Sequence, residues 1–199
     1  MTTTPPLADP RPAFRTTLDW VGDLIGQVTP GQLDRPTPCS EWTVHDLLCH
    51  LLGVGYRVGV IGRGGHPFSV PSQVEAGPDA AWPGLWQAAV DDLWQAWSDD
   101  AVLGRVLTVP PGVKVPGAVA LAHYITEYLV HGWDLATATG QPPEGPAAVA
   151  RVAEGALGAA RQFIPAEGRD APLPFGPVQP ASAGAGPVTQ LAAWLGRVV

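Results

Sequence analysis

The sequence predicts an all-α fold in a single domain over residues 1–199, and three observations support it. Apolar residues make up 46% of the chain and charged residues only 15%, which is typical of a chain with a folded core. Apolar side chains recur at helical intervals in several long segments, whereas only one short segment has an extended pattern. Glycine (24) and proline (23) are too numerous for helix interiors, so we expect compact helices joined by irregular segments.

The first half of the chain predicts three helices, each with one apolar face. The first begins at about Phe14 and ends before Pro30, where a Thr-Pro-Gly sequence stops the pattern. The second begins after Thr43, because a Thr-x-x-Asp sequence before an apolar run is an N-cap signal. Residues 62–77 are rich in Gly, Pro and Ser and predict a loop or crossover. A third helix starts near Pro83 and is expected to bury Leu85, Trp86, Ala89, Val90, Leu93 and Trp97.

The second half predicts one short extended segment and three further helices. Residues 99–116, including Val102 and Leu103, predict a small hairpin or an extended loop. The longest helical pattern covers about 117–139 and ends at a Gly followed by two Pro residues. The last two helices, about 146–164 and 188–195, flank a Pro/Gly-rich segment over 165–187 and form a short C-terminal extension. The expected apolar face of the first of these two consists of Val149, Val152, Ala156, Ala160 and Phe163.

Charge and cysteine content exclude several classes of protein. The net charge is -7, with 11 basic residues against 18 acidic ones that form no basic cluster, so we expect no nucleic-acid partner. No apolar run approaches the roughly 20 residues that cross a bilayer, and the Thr/Pro-rich start of a flexible N-terminus, residues 1–10, lacks a secretion signal. We therefore expect a cytoplasmic protein without a membrane partner. Cys39 and Cys49 have neither disulfide-framework nor zinc-ribbon spacing and are interpreted as small buried apolar residues.

The strongest chemical signal is a polar stripe on the predicted helix over 117–139. His123, Glu127, His131 and Asp134 lie within about 80° of one another around the helix axis. A glutamate and a histidine four residues apart converge on one point, as two metal ligands on one helix must. The same stripe is also typical of the solvated face of an amphipathic helix, and the residues alone leave both interpretations open.

A third ligand would have to come from another helix, and His50 on the second helix is the candidate. It lies at the edge of the apolar face, where a histidine is also typical of a core residue hydrogen-bonded to a neighbour. His45 is turned about 140° away from it, and His66 falls in the Gly/Pro-rich loop, so both are weaker candidates. Of the eight tryptophans, Trp133 is the one expected near the site, because it is close in sequence to His131.

Two segments resemble a known family: PTPCSEWTVHDLLCHL over residues 36–51, and EYLVHGWDLA over residues 127–136. They are similar to the actinobacterial branch of the DinB-like superfamily, near the mycothiol-dependent maleylpyruvate isomerase group. The FGP sequence at 175–177 and the LGR sequence at 195–197 are also similar to short members of that branch. The resemblance implies a four-helix bundle that holds a divalent metal, usually zinc.

Matched residue by residue, the resemblance implies His50, Glu127 and His131 as the metal ligands, with one coordination position left open. His123 would then be a catalytic or substrate-facing group one turn away, and Asp134 would orient a ligand imidazole. Trp133 would contribute to cofactor binding. Two histidines and one carboxylate also suit iron(II), so the ligand set leaves the metal open.

The resemblance further implies an enzyme that uses a low-molecular-weight thiol, mycothiol or a similar thiol, for transfer to or isomerisation of a small electrophile. The maleylpyruvate isomerases carry an additional C-terminal domain, and this chain is expected to be a short form without it, so we do not expect maleylpyruvate itself as the substrate. One alternative is a thiol-independent metal-dependent hydrolase, lyase or cyclase of specialised metabolism. Another is a non-catalytic helical protein that binds a metal or ligand or forms a homodimer.

Overall fold

The computed structural model describes residues 8–77, 80–169 and 175–199 and consists mainly of helices. Most of the predicted flexible N-terminus and the middle of the Pro/Gly-rich segment, residues 1–7 and 170–174, lie outside the described residues. The elements in chain order are α1 (Arg11–Gly26), α2 (Val44–Gly62), α3 (Trp82–Trp97), α4 (Ala101–Gly104), β1 (Val106–Val109), β2 (Val113–Pro116), α5 (Gly117–Thr139), α6 (Ala147–Phe163) and α7 (Pro187–Trp194).

Four of these helices form a bundle around one hydrophobic core. Helix α1 packs against α3 and α5, and α2 packs against the same two helices. Helices α6 and α7 pack against each other and cover α1 and α5 on one side of the bundle. The predicted all-α fold, a four-helix bundle with a small hairpin and a short C-terminal helical extension, is confirmed.

Helix α2 starts where the sequence predicts it, because a capping box fixes its first turn. The Thr43 hydroxyl accepts a hydrogen bond from the Asp46 backbone N–H at 3.2 Å, and the Asp46 carboxylate accepts one from the Thr43 N–H at 2.9 Å. Two N–H groups that lack helical partners are satisfied in this way. The cap therefore fixes the residue at which α2 begins.

Helix α5 lies close to α1 because the α5 residue at their contact, Gly132, has no side chain. A Cβ atom at Gly132 would lie 2.5 Å from the indole ring of Trp20, so any larger residue would force the helices apart. Helix α5 ends at Gly140, whose φ of 77° is in the left-handed region that favours glycine. The close packing of α5 against α1 therefore depends on Gly132, which directly follows His131 of the polar stripe.

The structure corrects two details of the predicted elements. Val102 and Leu103, expected in the extended segment, lie in the short helix α4, while the hairpin itself forms with Val109 opposite Val113. Phe163, expected on the buried face of α6, is 75% exposed. Around the helix axis, Phe163 lies about 75° from the centre of the face that is buried. That face consists of Val149, Ala153, Leu157 and Ala160.

Helix α2 also corrects the expectation that no apolar run approaches the length of a membrane span. An 18-residue window of this 19-residue helix has a mean hydropathy of 1.2, so by length and composition alone the helix could span a membrane. In the structure, 72% of the residues in that window are buried inside the protein, as in the core helix of a bundle.

Candidate metal centre

Three side chains from two bundle helices converge at one point. His50 on α2 and Glu127 and His131 on α5 place one ligand atom each within 4.8 Å of the others. The Nε2 atom of His50 is 3.1 Å from Oε1 of Glu127, and Nε2 of His131 is 3.5 Å from the same oxygen. Both imidazoles are buried, whereas the Glu127 side chain is 29% exposed. The group therefore lies at the edge of the core with one side towards solvent.

The hydrogen-bond partners of the two histidines fix where their protons lie. Nδ1 of His50 is 2.8 Å from the carbonyl oxygen of Ser72, and Nδ1 of His131 is 3.0 Å from a carboxylate oxygen of Asp134. Both partners only accept, so each Nδ1 donates its proton to them. In neutral imidazoles the two Nε2 lone pairs then face the same carboxylate oxygen of Glu127. Only a shared cation, a metal ion or a proton, makes this arrangement favourable.

The donor set fits a catalytic divalent metal. Two imidazole nitrogens and one carboxylate oxygen are the ligands that zinc takes in catalytic sites with an open position, and they also suit iron(II). Cys39, His131 and Asp134 form a second close group. That group is the poorer set, because both oxygens of Asp134 already accept hydrogen bonds and burial raises the pKa of the Cys39 thiol to about 11.

Asp134 and Arg197 support His131 from behind. Asp134 is fully buried, and its two oxygens accept hydrogen bonds of 2.9 Å from Nε and Nη2 of Arg197. Burial favours the neutral acid, but the His131 and Arg197 hydrogen bonds and charges hold the pKa of the Asp134 carboxyl below its ordinary value. A carboxylate behind a histidine fixes the imidazole orientation and increases its basicity.

The loop that precedes α2 places an aromatic ring over both histidines. Its turn is closed by hydrogen bonds from Thr37 N–H to the Trp42 carbonyl and from Trp42 N–H to the Cys39 carbonyl, at 3.0 and 3.1 Å. The Trp42 ring centroid lies 4.6 Å from that of His50 and 5.8 Å from that of His131. The indole therefore shields the imidazoles from water on that side.

Glu127 and His131 shift each other's protonation in the metal-free protein. Burial opposes ionisation of Glu127, but the neighbouring His131 and His50 hold the pKa of its carboxyl well below the ordinary value. Burial likewise disfavours the imidazolium form of His131, but the Glu127 carboxylate and the Asp134 hydrogen bond raise its pKa to about 9. Without a metal, a proton on Nε2 of His131 therefore links it to Glu127 at neutral pH.

We expect the metal-free protein to lose stability as the pH rises from 6.5 to about 9. The pKa of His131 is raised from 6.5 in the unfolded chain to about 9 in the folded one, so its contribution is complete below pH 6.5 and is lost through pH 9. At about 1.4 kcal/mol per pKa unit, the loss in the free energy of unfolding is of the order of 3 kcal/mol. Urea unfolding in the presence of a chelator at several pH values measures it.

Two variants assign that pH dependence to one residue. His131→Ala should flatten the profile between pH 6.5 and 9, whereas His123→Ala, on the same helix but exposed, should keep it. An unchanged slope in His131→Ala would contradict the prediction.

The structure brings some of the predicted site residues together and leaves others apart. It brings His50, Glu127 and His131 together and places Asp134 behind His131. The solvated-face interpretation is therefore wrong for His131 and Asp134, which are buried. His123 is exposed one turn before Glu127, as a substrate-facing group would be. The ligand and substrate roles themselves remain predictions.

Trp133 lies elsewhere, because residues two positions apart on a helix point to nearly opposite sides. Its indole is buried, and the ring N–H donates to the Thr189 hydroxyl on α7 at 2.9 Å. The expectation that Trp133 lies near the site is therefore wrong. His45 is half-buried, and its Nε2 is 2.8 Å from the Ala76 carbonyl. His66 caps the turn at 67–69, and neither histidine belongs to the converging group.

Sequence reasoning missed the contributions of Arg197, Trp42 and the Ser72 carbonyl. Arg197 and Trp42 occur in segments that resemble the family, but no local pattern gives either a role. Ser72 acts through its backbone, which has no residue-type signal at all. Ser72 lies 22 residues from His50, and Arg197 lies in the last residues of the chain, far from His131, so only the packed structure reveals these two contacts.

Comparisons with known proteins identify the family of this chain. Residues 14–136 match the family model of the mycothiol maleylpyruvate isomerase N-terminal domain. Two uncharacterized proteins from two strains of Mycobacterium tuberculosis are each 34% identical over 191 residues, covering 96% of this chain and 99% of the relative. The matched family region contains the three converging residues and Asp134 but ends before Arg197.

Two solved structures are similar in fold. They are crystal structures of the mycothiol-dependent maleylpyruvate isomerase and of a histidine-to-alanine mutant of it, with TM-scores of 0.59 and 0.58. Each is 16% identical in sequence, and the match covers 76% of this chain and 69% of the other. At this identity the likeness establishes the shared fold alone.

Proposed function

The chain belongs to the mycothiol maleylpyruvate isomerase N-terminal domain family, and on this basis we propose that it is a metal-dependent enzyme acting with a low-molecular-weight thiol. The thiol is mycothiol or a close relative, and the second substrate is a small electrophile. The thiolate forms a C–S bond with the electrophilic carbon. The adduct then either takes up a proton and is released as a conjugate, or isomerises and expels the thiol.

One observation of the structure supports the metal dependence in this proposal: two imidazole Nε2 atoms face a single oxygen of Glu127. The Nδ1 atoms of both imidazoles are committed to acceptors, so both Nε2 lone pairs are available to a cation. Three protein ligands leave a fourth position open, which is the arrangement of catalytic rather than structural zinc sites. This ligand count supports chemistry on a small molecule at the open position.

When bound, a divalent metal such as zinc lowers the pKa of a thiol that coordinates it and so supplies thiolate near neutral pH. The protein contributes orientation and exclusion of water. Asp134 holds the His131 ring, the Ser72 carbonyl holds the His50 ring, and Trp42 covers both rings. The partly exposed Glu127 and the exposed His123 mark the side from which substrate enters. In this proposal, the exposed His123 contacts the substrate.

Thiol binding to the metal-loaded protein tests the proposal. We expect mycothiol to bind protein carrying stoichiometric zinc in a calorimetric titration, and chelator-treated protein to bind it far more weakly. In the cobalt-substituted protein, addition of the thiol should produce the near-ultraviolet absorption of a cobalt–thiolate bond. Mycothiol methylated on its sulfur is the matched ligand control, because it cannot form a thiolate and should give neither signal.

A panel of electrophiles then tests the reaction by the loss of free thiol or of the electrophile. We expect consumption that requires both metal and thiol. Turnover that continues after removal of all thiols would contradict the role of the thiol and favour a hydrolase, lyase or cyclase. Metal-loaded protein that neither binds mycothiol nor transfers it would overturn the proposal and favour a binding protein.

A further inference from the structure

We propose that Arg197, from the C-terminal extension, is a positioning residue of the metal site, and that α7 therefore completes a site whose ligands all lie in the bundle. The inference rests on the metal site of the proposed function. It concerns a residue outside the region that matches the family model, residues 14–136. A continuous set of hydrogen bonds leads from Arg197 through Asp134 to the imidazole of His131.

The first step is the contact between Arg197 and Asp134. Nε and Nη2 of Arg197 donate to Oδ1 and Oδ2 of Asp134, each at 2.9 Å. Two parallel hydrogen bonds from a planar guanidinium fix both the position and the plane of a carboxylate. Since Asp134 is fully buried, Arg197 also supplies the charge that offsets it.

Asp134 in turn contacts the candidate metal ligand His131. Oδ2 of Asp134, the oxygen that accepts from Nη2 of Arg197, also accepts the Nδ1 proton of His131 at 3.0 Å. The imidazole is therefore held with Nε2 towards Glu127. If Arg197 were absent, the carboxylate would lose two of its three hydrogen bonds and could rotate, and the His131 ring would rotate with it.

A tight turn at Gly196 brings the end of the chain to Asp134. Gly196 has a φ of 96°, in the left-handed region, and a Cβ atom there would lie 2.8 Å from Cα of Gly176. The chain can therefore turn back on itself only with glycine at this position. After the turn, Arg197 N–H donates to the Ala192 carbonyl at 2.9 Å, which aims the side chain back into the protein.

Helix α7, which carries this turn, is itself tied to the bundle. The Trp133 indole N–H donates to the Thr189 hydroxyl at 2.9 Å, so α5 holds α7 directly. The Glu144 carboxylate accepts from the N–H groups of Val188 and Thr189 at 3.1 and 3.0 Å, which caps the first turn of α7. Trp133 thus acts on the site indirectly, by docking the helix that delivers Arg197.

Cobalt binding to the full chain tests the role of Arg197. We expect Arg197→Ala to bind Co²⁺ about 10- to 100-fold more weakly than the wild type, the usual effect of losing an outer hydrogen-bond partner of a ligand. At saturating Co²⁺ the visible ligand-field spectrum should also change, because the orientation of His131 changes. Arg197→Lys keeps the charge but cannot donate two parallel bonds, so it should show a smaller affinity loss and still an altered spectrum.

The matched control is Arg161→Ala. Arg161 belongs to the same extension and lies 5.8 Å from the Trp194 ring, but it does not contact Asp134. We expect its cobalt affinity and spectrum to equal those of the wild type. Far-ultraviolet circular dichroism shows whether each variant is folded. If Arg197→Ala does not fold, the comparison is made with Arg197→Lys alone.

The outcomes separate this inference from the proposed function. A wild-type chain that binds no Co²⁺ would overturn both. A wild-type chain that binds Co²⁺, with both Arg197 variants matching it in affinity and spectrum, would overturn the positioning role alone. A weakened affinity with an unchanged spectrum in both variants would show a general loss of stability instead, and would also contradict the role.

Discussion

We expect the purified protein to carry about one equivalent of divalent metal and the His50→Ala and His131→Ala variants to lose it. Each variant removes one of three donors that lie within 4.8 Å of one another. Loss of a direct ligand should weaken binding by more than the 10- to 100-fold that an outer-shell partner contributes, so at least about 100-fold is expected. Elemental analysis after dialysis, followed by titration of the apoprotein with zinc, measures both the stoichiometry and the affinity.

His123→Ala is the control for this experiment. His123 lies on the same stripe of α5 but is exposed and outside the converging group, so metal content should be unchanged. Glu127→Ala should also release the metal and leave the bundle folded, since Glu127 lies at the edge of the core. Metal retained in both histidine variants would contradict the ligand assignment, and a metal-free wild-type chain would contradict the site.

The Asp134→Ala variant should lower the free energy of unfolding by about 3–5 kcal/mol, the usual effect of removing one partner from a buried ion pair. Asp134 is fully buried and accepts hydrogen bonds from both His131 and Arg197. Its removal leaves Arg197, whose side chain is only 16% exposed, without its partner. Urea unfolding in the presence of a chelator isolates this effect from metal binding.

An exposed ion pair of the same chemistry provides the control. Arg63 and Asp92 are 2.8 Å apart with side chains 46% and 44% exposed, so Asp92→Ala should cost no more than about 1 kcal/mol. The double variant Asp134→Ala/Arg197→Ala should be less destabilised than the sum of the single variants, because it leaves no unpaired charge. An Asp134→Ala variant no less stable than Asp92→Ala would contradict the assignment of Asp134 as a buried, charged partner.

If both predictions hold, the metal ligands and the residues that support them come from different regions of the chain. The donors come from α2 and α5, within the part of the chain that matches the family model. The support for His131 includes Arg197, from beyond that part. Substitutions in the C-terminal extension would then change the metal site of this protein without any change in the ligands.

The local features of this protein can be read from its sequence alone. Helical periodicity located the bundle helices, the Thr43 cap located the start of α2, and the stripe on α5 placed Glu127, His131 and Asp134 on one face. Each of these signals spans a few residues and follows from the 3.6-residue turn or from hydrogen bonds of the first helical turn. Such properties require no knowledge of what packs against the helix.

Contacts between side chains on different helices, in contrast, become visible only in the folded protein. His50 is 77 residues from Glu127, and Arg197 is 63 residues from Asp134, so their contacts depend on how separate helices pack. The side of α5 on which Trp133 lies follows from the helical turn alone, because residues two positions apart point to nearly opposite sides, but its partner there, Thr189 on α7, is revealed only by the packed structure. Contacts between distant segments are set by shape and burial across the whole core, and periodicity along one helix does not contain that information.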